Sequence, residues 1–175
     1  MEEIKQLSDD VYEQIKDFIY DNLTEDQKSL IDKLILDDEL KERFKKYGLC
    51  NECKQPNIYY GWCRMCNGKH FQRNFKNWTS GNDNVDEFIQ KTQLKAKNEY
   101  EVLEWIEHDR FENIEYLAKG GFGTVFKAIW KDGPLDSVSK NKQLKREGKT
   151  EVALKCLHNS QDIKAEFLKE VRYFL

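Results

Sequence analysis

Apolar positions in the first 48 residues recur at helical spacing. Val11, Ile15, Phe18 and Ile19 stand at i, i+4, i+7 and i+8, the pattern of one buried helix face. Thr24 followed by Gln27 predicts a capping box, in which hydroxyl and amide each satisfy a backbone N–H left over at a helix start. Leu30, Ile31, Leu34 and Ile35 form a second apolar stripe, which Leu40, Phe44 and Tyr47 can prolong up to Gly48. The two stripes predict a packed helical hairpin. A dimerising coiled coil is the weaker alternative, because no heptad is sustained.

The helical period fades between residues 49 and 68, where cysteines, Pro56 and Gly61 predict a loop-rich module. It returns at Phe71, Phe75 and Trp78 and is broken by "TSGNDN", a cluster of turn-forming residues. Val85, Phe88, Ile89, Leu103 and Ile106 are the expected buried positions of one charged connecting helix from Val85 to Ile106. From Phe111 the pattern shifts to short β-branched and aromatic runs, "FENIEYLA", "TVFKAIW" and "EVALKCL", which predict strands. Phe167, Leu168, Val171 and Leu175 then sketch a last helical face. The expectation is an α+β chain in four parts: a helical segment (1–48), a cysteine module (49–78), a helical connector (84–110), and an incomplete antiparallel sheet with a helix (111–175).

Charge narrows the function classes. Of 175 residues 35% are charged, yet the net charge is only -3, so both signs are mixed along the surface. The basic excess of a nucleic-acid binder is missing. No apolar run reaches the roughly 18 residues needed to span a bilayer. The acidic start "MEEIKQLSDD" lacks the basic and apolar regions of a signal peptide. An intracellular, cytoplasmic location is expected, and no membrane partner. Thiols stay reduced there, so paired cysteines point to metal before disulfide.

Cys50, Cys53, Cys63 and Cys66 form two C-x2-C pairs separated by nine residues. Two such pairs on facing turns can place four thiolates tetrahedrally around Zn2+, and four sulfur ligands leave no position open for water. A zinc-ribbon-like module with a structural, non-catalytic ion is expected, a redox dithiol and unrelated buried cysteines being the alternatives. Cys156, in a predicted strand, reads as a small core residue. Lys69, Arg73 and Lys76 interleave with Phe71, Phe75 and Trp78. That could serve base stacking, but the aromatic stripe reads better as core with the cations in solvent. Nucleic acid is therefore not the expected partner, and docking of a regulatory protein is.

"YLAKGGFGTVFKAIW" at residues 116–130 places Gly120, Gly121 and Gly123 ahead of a strand. A dinucleotide-binding fingerprint would need them to open a helix. A hairpin turn is the expectation instead, with glycines that let backbone N–H groups approach an anion unobstructed. In "VALK" alternation puts Ala153 and Lys155 on one strand face, and an inward lysine needs a partner. Glu170 in "EFLKEV" is the candidate.

"LAKGGFGTV", "VALK" and "EFLKEV", in this order, resemble the first motifs of a eukaryotic protein kinase domain, most like the tyrosine-kinase-like group. The resemblance covers residues 111–175 and implies an ATP-binding small lobe. It implies that Leu117, Val125 and Ala153 line the adenine. It also implies that Ala118, Gly120, Gly121, Phe122 and Gly123 form the loop over the phosphates, and that Lys155 and Glu170 form a catalytic ion pair. Ala118 stands where the family has its first loop glycine. No "HRD" or "DFG" motif occurs in the sequence, so Mg2+ and transfer to a protein substrate belong to a domain completed by a large lobe. These 175 residues are expected to be inactive alone. A zinc-dependent interaction protein with a vestigial or pseudokinase segment is the competing reading. The insertion "PLDSVSKNKQLKREGK" is expected to be a solvated loop.

Overall fold

The structure is a computed structural model that describes residues 6–121, 123–136 and 145–158. It begins with three short helices, α1 (Asp9–Ile15), α2 (Glu25–Leu34) and α3 (Asp38–Tyr47), where the apolar spacing predicted a hairpin of two. α1 ends before the apolar pair Phe18 and Ile19. The chain turns there, Phe18 packs on the helical core, and Ile19 is left exposed. The long second stripe breaks at Ile35, whose backbone is extended, and the Asp37 carboxylate accepts from the Leu40 N–H at 3.0 Å to start α3. Local capping outcompetes continued periodicity because it satisfies backbone donors that a helix start leaves free. Both bonds of the Thr24–Gln27 capping box are present.

The first core consists of Leu7, Ile15, Ile31, Ile35, Leu40 and Phe44. Gly48 closes α3 at φ +66, where an added Cβ would come within 2.5 Å of the Tyr20 ring. Phe44 is only 1% exposed. Phe44→Ala is therefore expected to destabilise the helical segment by about 3–5 kcal/mol, measured as a lower denaturation midpoint in urea.

α4 (Arg64–Asn74) leads through a 3-10 turn at Phe75–Asn77 to α5 (Asp83–Lys95). The connector differs from the single helix expected over residues 85–106. α5 stops at Lys95, and Asn98 caps a separate 3-10 turn at Glu99–Glu101 by accepting from the N–H groups of Tyr100 and Glu101. Leu103 and Ile106 are half-buried on extended chain beyond it. The Gln93 side chain holds that chain against α5 by donating to the Leu103 carbonyl at 2.7 Å. A second core of Trp62, Phe71 and Ala96 has Ile58, Phe75, Val102 and Leu135 packed against it.

The sheet is antiparallel in the order β1 (Phe111–Gly120), β2 (Gly123–Trp130), β5 (Thr150–Leu157). Between β2 and β5 the expected solvated loop is in part a two-stranded ribbon, β3 (Leu135–Asp136) and β4 (Lys145–Arg146). Register shifts interrupt β1 between Glu112 and Glu115 and between Tyr116 and Ala118, as bulges do on an edge strand. Cys156 is exposed and not core, because among the described residues nothing covers the strand end at this position. No helix of the described residues is long and apolar enough to cross a membrane.

Candidate functional site

The cysteine centre is built by two different local structures. Cys50 and Cys53 sit on a tight knuckle, in which the Lys54 N–H donates to the Cys50 carbonyl at 2.9 Å and the Cys50 N–H to Gln55 at 2.8 Å. Lys54 takes φ +62 to close it. Cys63 is the N-cap residue of α4, and Cys66 lies in its first turn. The second pair thus opens a helix, where a zinc-ribbon-like module would place it on another turn between strands. Trp62, 1% exposed, anchors this entry by donating its indole N–H to the Ala96 carbonyl at 3.1 Å.

Side chains from the helical segment hold the knuckle. Arg43 donates to the carbonyls of Pro56 and Asn57 at 2.6 and 3.3 Å. Gln55 accepts from the Leu7 N–H at 2.6 Å and donates to the Leu7 carbonyl at 3.1 Å. Asn57 donates to the Tyr47 carbonyl at 3.1 Å. None of these contacts could be read from spacing alone, since each joins residues distant in sequence.

All four Sγ atoms lie within 4.8 Å of one another, so the group can hold a metal ion. Cys50 and Cys66 are 3.8 Å apart and Cys53 and Cys63 3.4 Å. Four sulfurs at about 2.3 Å from a central ion stand about 3.8 Å apart, and a disulfide needs about 2.05 Å. The donor set therefore fits a tetrathiolate centre, and the cysteines are free of disulfides. Without a cation four negative charges cannot share this space. Hydrogen bonds from the Cys53 and Cys63 side chains lower the Cys50 pKa, whereas hydrogen bonding to Cys50 and Cys53 keeps Cys63 protonated. Burial, with the Cys50 charge, pushes Cys66 up to about 12.

The second group of candidate residues lies on the sheet. Gly120 pairs with Gly123 across a tight β1–β2 turn, so the glycines open a strand in a hairpin. Ala118 pairs with Val125, and Val125 pairs with Lys155. Directly opposed residues share a face, so these three form a row across all three strands. Ala153, two residues before Lys155, lies on the same face. Leu117 falls at a register shift and is 60% exposed. Val125 is half-buried, and Ala118, Ala153 and Lys155 are exposed. Among the described residues no carboxylate pairs with Lys155; Phe122 and Glu170 lie outside them.

The three glycines differ in what the fold asks of them. A Cβ on Gly123 would stand 2.4 Å from the Cys156 carbonyl oxygen, so β5 packing excludes a side chain there. Among the described residues, a Cβ on Gly121 would meet nothing within 4 Å, and one on Gly120 only the Gly123 oxygen at 3.9 Å. Neither adopts a positive φ. The described fold gives no conformational or packing reason for glycine at 120 and 121.

Along α4 and the 3-10 turn that follows it, Phe71 is buried, Phe75 and, just past the turn, Trp78 are half-buried, and Lys69, Arg73 and Lys76 are exposed. The aromatic stripe thus faces inward more than it offers a stacking platform. Scans against protein-family models, curated proteins and solved structures return no match to this chain.

Proposed function

We propose that residues 111–175 are the ATP-binding part of a protein kinase small lobe, carried by a module braced with structural Zn2+ at Cys50, Cys53, Cys63 and Cys66. The observation that carries the reading is the row Ala118, Val125 and Lys155 in the strands joined by a turn where, among the described residues, a Cβ on Gly120 or Gly121 would meet no close contact. Glycine where the fold does not require it is accounted for by a ligand that approaches the backbone closely. Apolar Leu117, Val125 and Ala153 suit a flat adenine, and the Lys155 ammonium suits the α- and β-phosphates. Glu170 is proposed to hold Lys155, and Phe122 to form the loop tip. When bound, Mg2+ neutralises phosphate charge.

The role of this chain's residues is orientation: the turn offers N–H donors to phosphate oxygens, and Lys155 fixes the phosphate chain. The acceptor is proposed to be a protein hydroxyl, with a protein substrate or regulatory protein as partner and a cytoplasmic setting. Zn2+ is favoured at the cysteines because its filled d-shell accepts four thiolates without geometric strain.

Calorimetric titration of the full-length gene product with ATP and Mg2+ tests the nucleotide reading. Gly121→Val is expected to weaken ATP binding about tenfold with an unchanged melting temperature. Gly123→Val is expected to lower the melting temperature by several degrees, through roughly 2 kcal/mol or more of steric conflict with β5. ATP binding that is indifferent to Gly121→Val would remove the phosphate role of the turn.

A further inference from the structure

We propose that the β3–β4 ribbon is a coupling element, through which the metal state of the cysteine centre sets the order of β5, the strand that carries Lys155. The coupling rests on the metal proposed above for the cysteines, and its consequence for nucleotide binding on the proposed ATP site. The ribbon continues the β2–β5 ladder. Trp130 pairs with Thr150, the Gly148 N–H donates to the Asp132 carbonyl at 2.9 Å, the Glu147 N–H donates to Pro134 at 3.0 Å, and Leu135 then pairs with Arg146. The ladder bends where Gly133 and Gly148 have φ +67 and +85. A Cβ on Gly133 would come within 2.0 Å of the Gly148 oxygen, so the two arms are pressed together at the bend.

The far end of this ladder rests on the cysteine module. Leu135 packs on the core of Trp62, Phe71 and Ala96, and Trp62 immediately precedes Cys63 while Phe71 lies on the helix that Cys63 starts. Arg146 ties the same end down. Its guanidinium donates to the Gly133 carbonyl at 2.9 Å and forms a two-pronged pair with Glu104 of the connector. It also lies 5.4 Å over the Trp130 ring. A planar guanidinium can make all three contacts at once, which an ammonium cannot. The pairs Arg110–Asp132 and Lys149–Glu112 add exposed ties between the start of the sheet and the same ladder, each of small worth.

Loss of the metal removes the thiolate cross-link that holds the knuckle to α4, and with it the surface on which Leu135 and the connector rest. The ladder then frays from the ribbon toward β5. Thr150 to Lys155 is roughly 17 Å at about 3.4 Å per residue, within one continuous pairing of β2 with β5. Two sites thereby share one element with two states, ordered and frayed, as coupling requires.

Hydrogen exchange of the β5 amides in the zinc-loaded and chelator-treated protein tests this. Metal removal is expected to speed exchange at residues 150–157 about tenfold or more. Leu135→Ala, with its metal content verified by elemental analysis, is expected to show that fast exchange even when loaded, and chelation should add little. Arg146→Gln is expected to behave likewise and serves if Leu135→Ala does not fold. Unchanged β5 exchange on metal removal overturns the coupling, as does wild-type protection in both loaded variants. Exchange that responds to metal in a protein that binds no ATP leaves the coupling standing and removes the nucleotide reading instead.

Discussion

Cys63→Ser is expected to abolish metal binding and to unfold the region from Leu49 to Ala96, where the substitution of an ordinary half-buried residue would only weaken it. Cys63 is both one of the four sulfurs that can hold a metal and the residue at which the chain enters α4. The core behind it is small, with Trp62, Phe71 and Ala96 as its buried members, and small cores rarely hold without a staple. Structural zinc contributes about 10–16 kcal/mol of apparent free energy in small domains at neutral pH, which exceeds what such a core supplies. Elemental analysis is expected to find one zinc per chain in the parent protein and none in the variant, with loss of helical circular dichroism. A metal-free module with intact helix signal would refute a structural ion.

The pH dependence has a definite sign. Hydrogen bonding to Cys50 and Cys53 raises the Cys63 pKa and burial raises that of Cys66, so a metal held by both thiolates must displace their protons. Loading releases protons, and affinity is present at neutral pH and lost as the pH falls. A pH indicator in weak buffer should report acid on addition of Zn2+, and acidification should drive the ion off.

Lys155→Met is expected to reduce phosphoryl transfer by the full-length gene product by about 10²–10³-fold or more, the scale on which removal of one fixed electrostatic contact acts. Methionine keeps the stem and loses the charge. The melting temperature is expected to change little, since Lys155 is exposed and loss of an exposed ion pair, as proposed with Glu170, costs at most about 1 kcal/mol. Glu170→Gln is expected to cost less, because an amide still accepts a hydrogen bond from the ammonium although it cannot neutralise it. Radiolabelled phosphate transfer reads both variants. Full activity of Lys155→Met would exclude the proposed role of the lysine.

Several features needed only the sequence, because they are governed by residues close along the chain. The Thr24–Gln27 box spans a single turn. The two cysteines of each C-x2-C pair stand close because the pair occupies one turn. The glycine turn is a hairpin because strand-forming residues flank it on both sides.

Tertiary structure decided what periodicity left open. An apolar stripe states which positions could be buried, but whether the helix continues depends on competing caps and on where a core lies to receive it. Hence the second stripe splits at Asp37, Ile19 is exposed beside a packed Phe18, and the connector leaves its helix at Lys95. Leu135 and Arg146 sit in a polar, lysine-rich insertion that resembles solvated loop. Their partners, the Trp62 core for Leu135 and Glu104 for the exposed Arg146, come from distant segments, and contacts of that range exist only after the chain has folded.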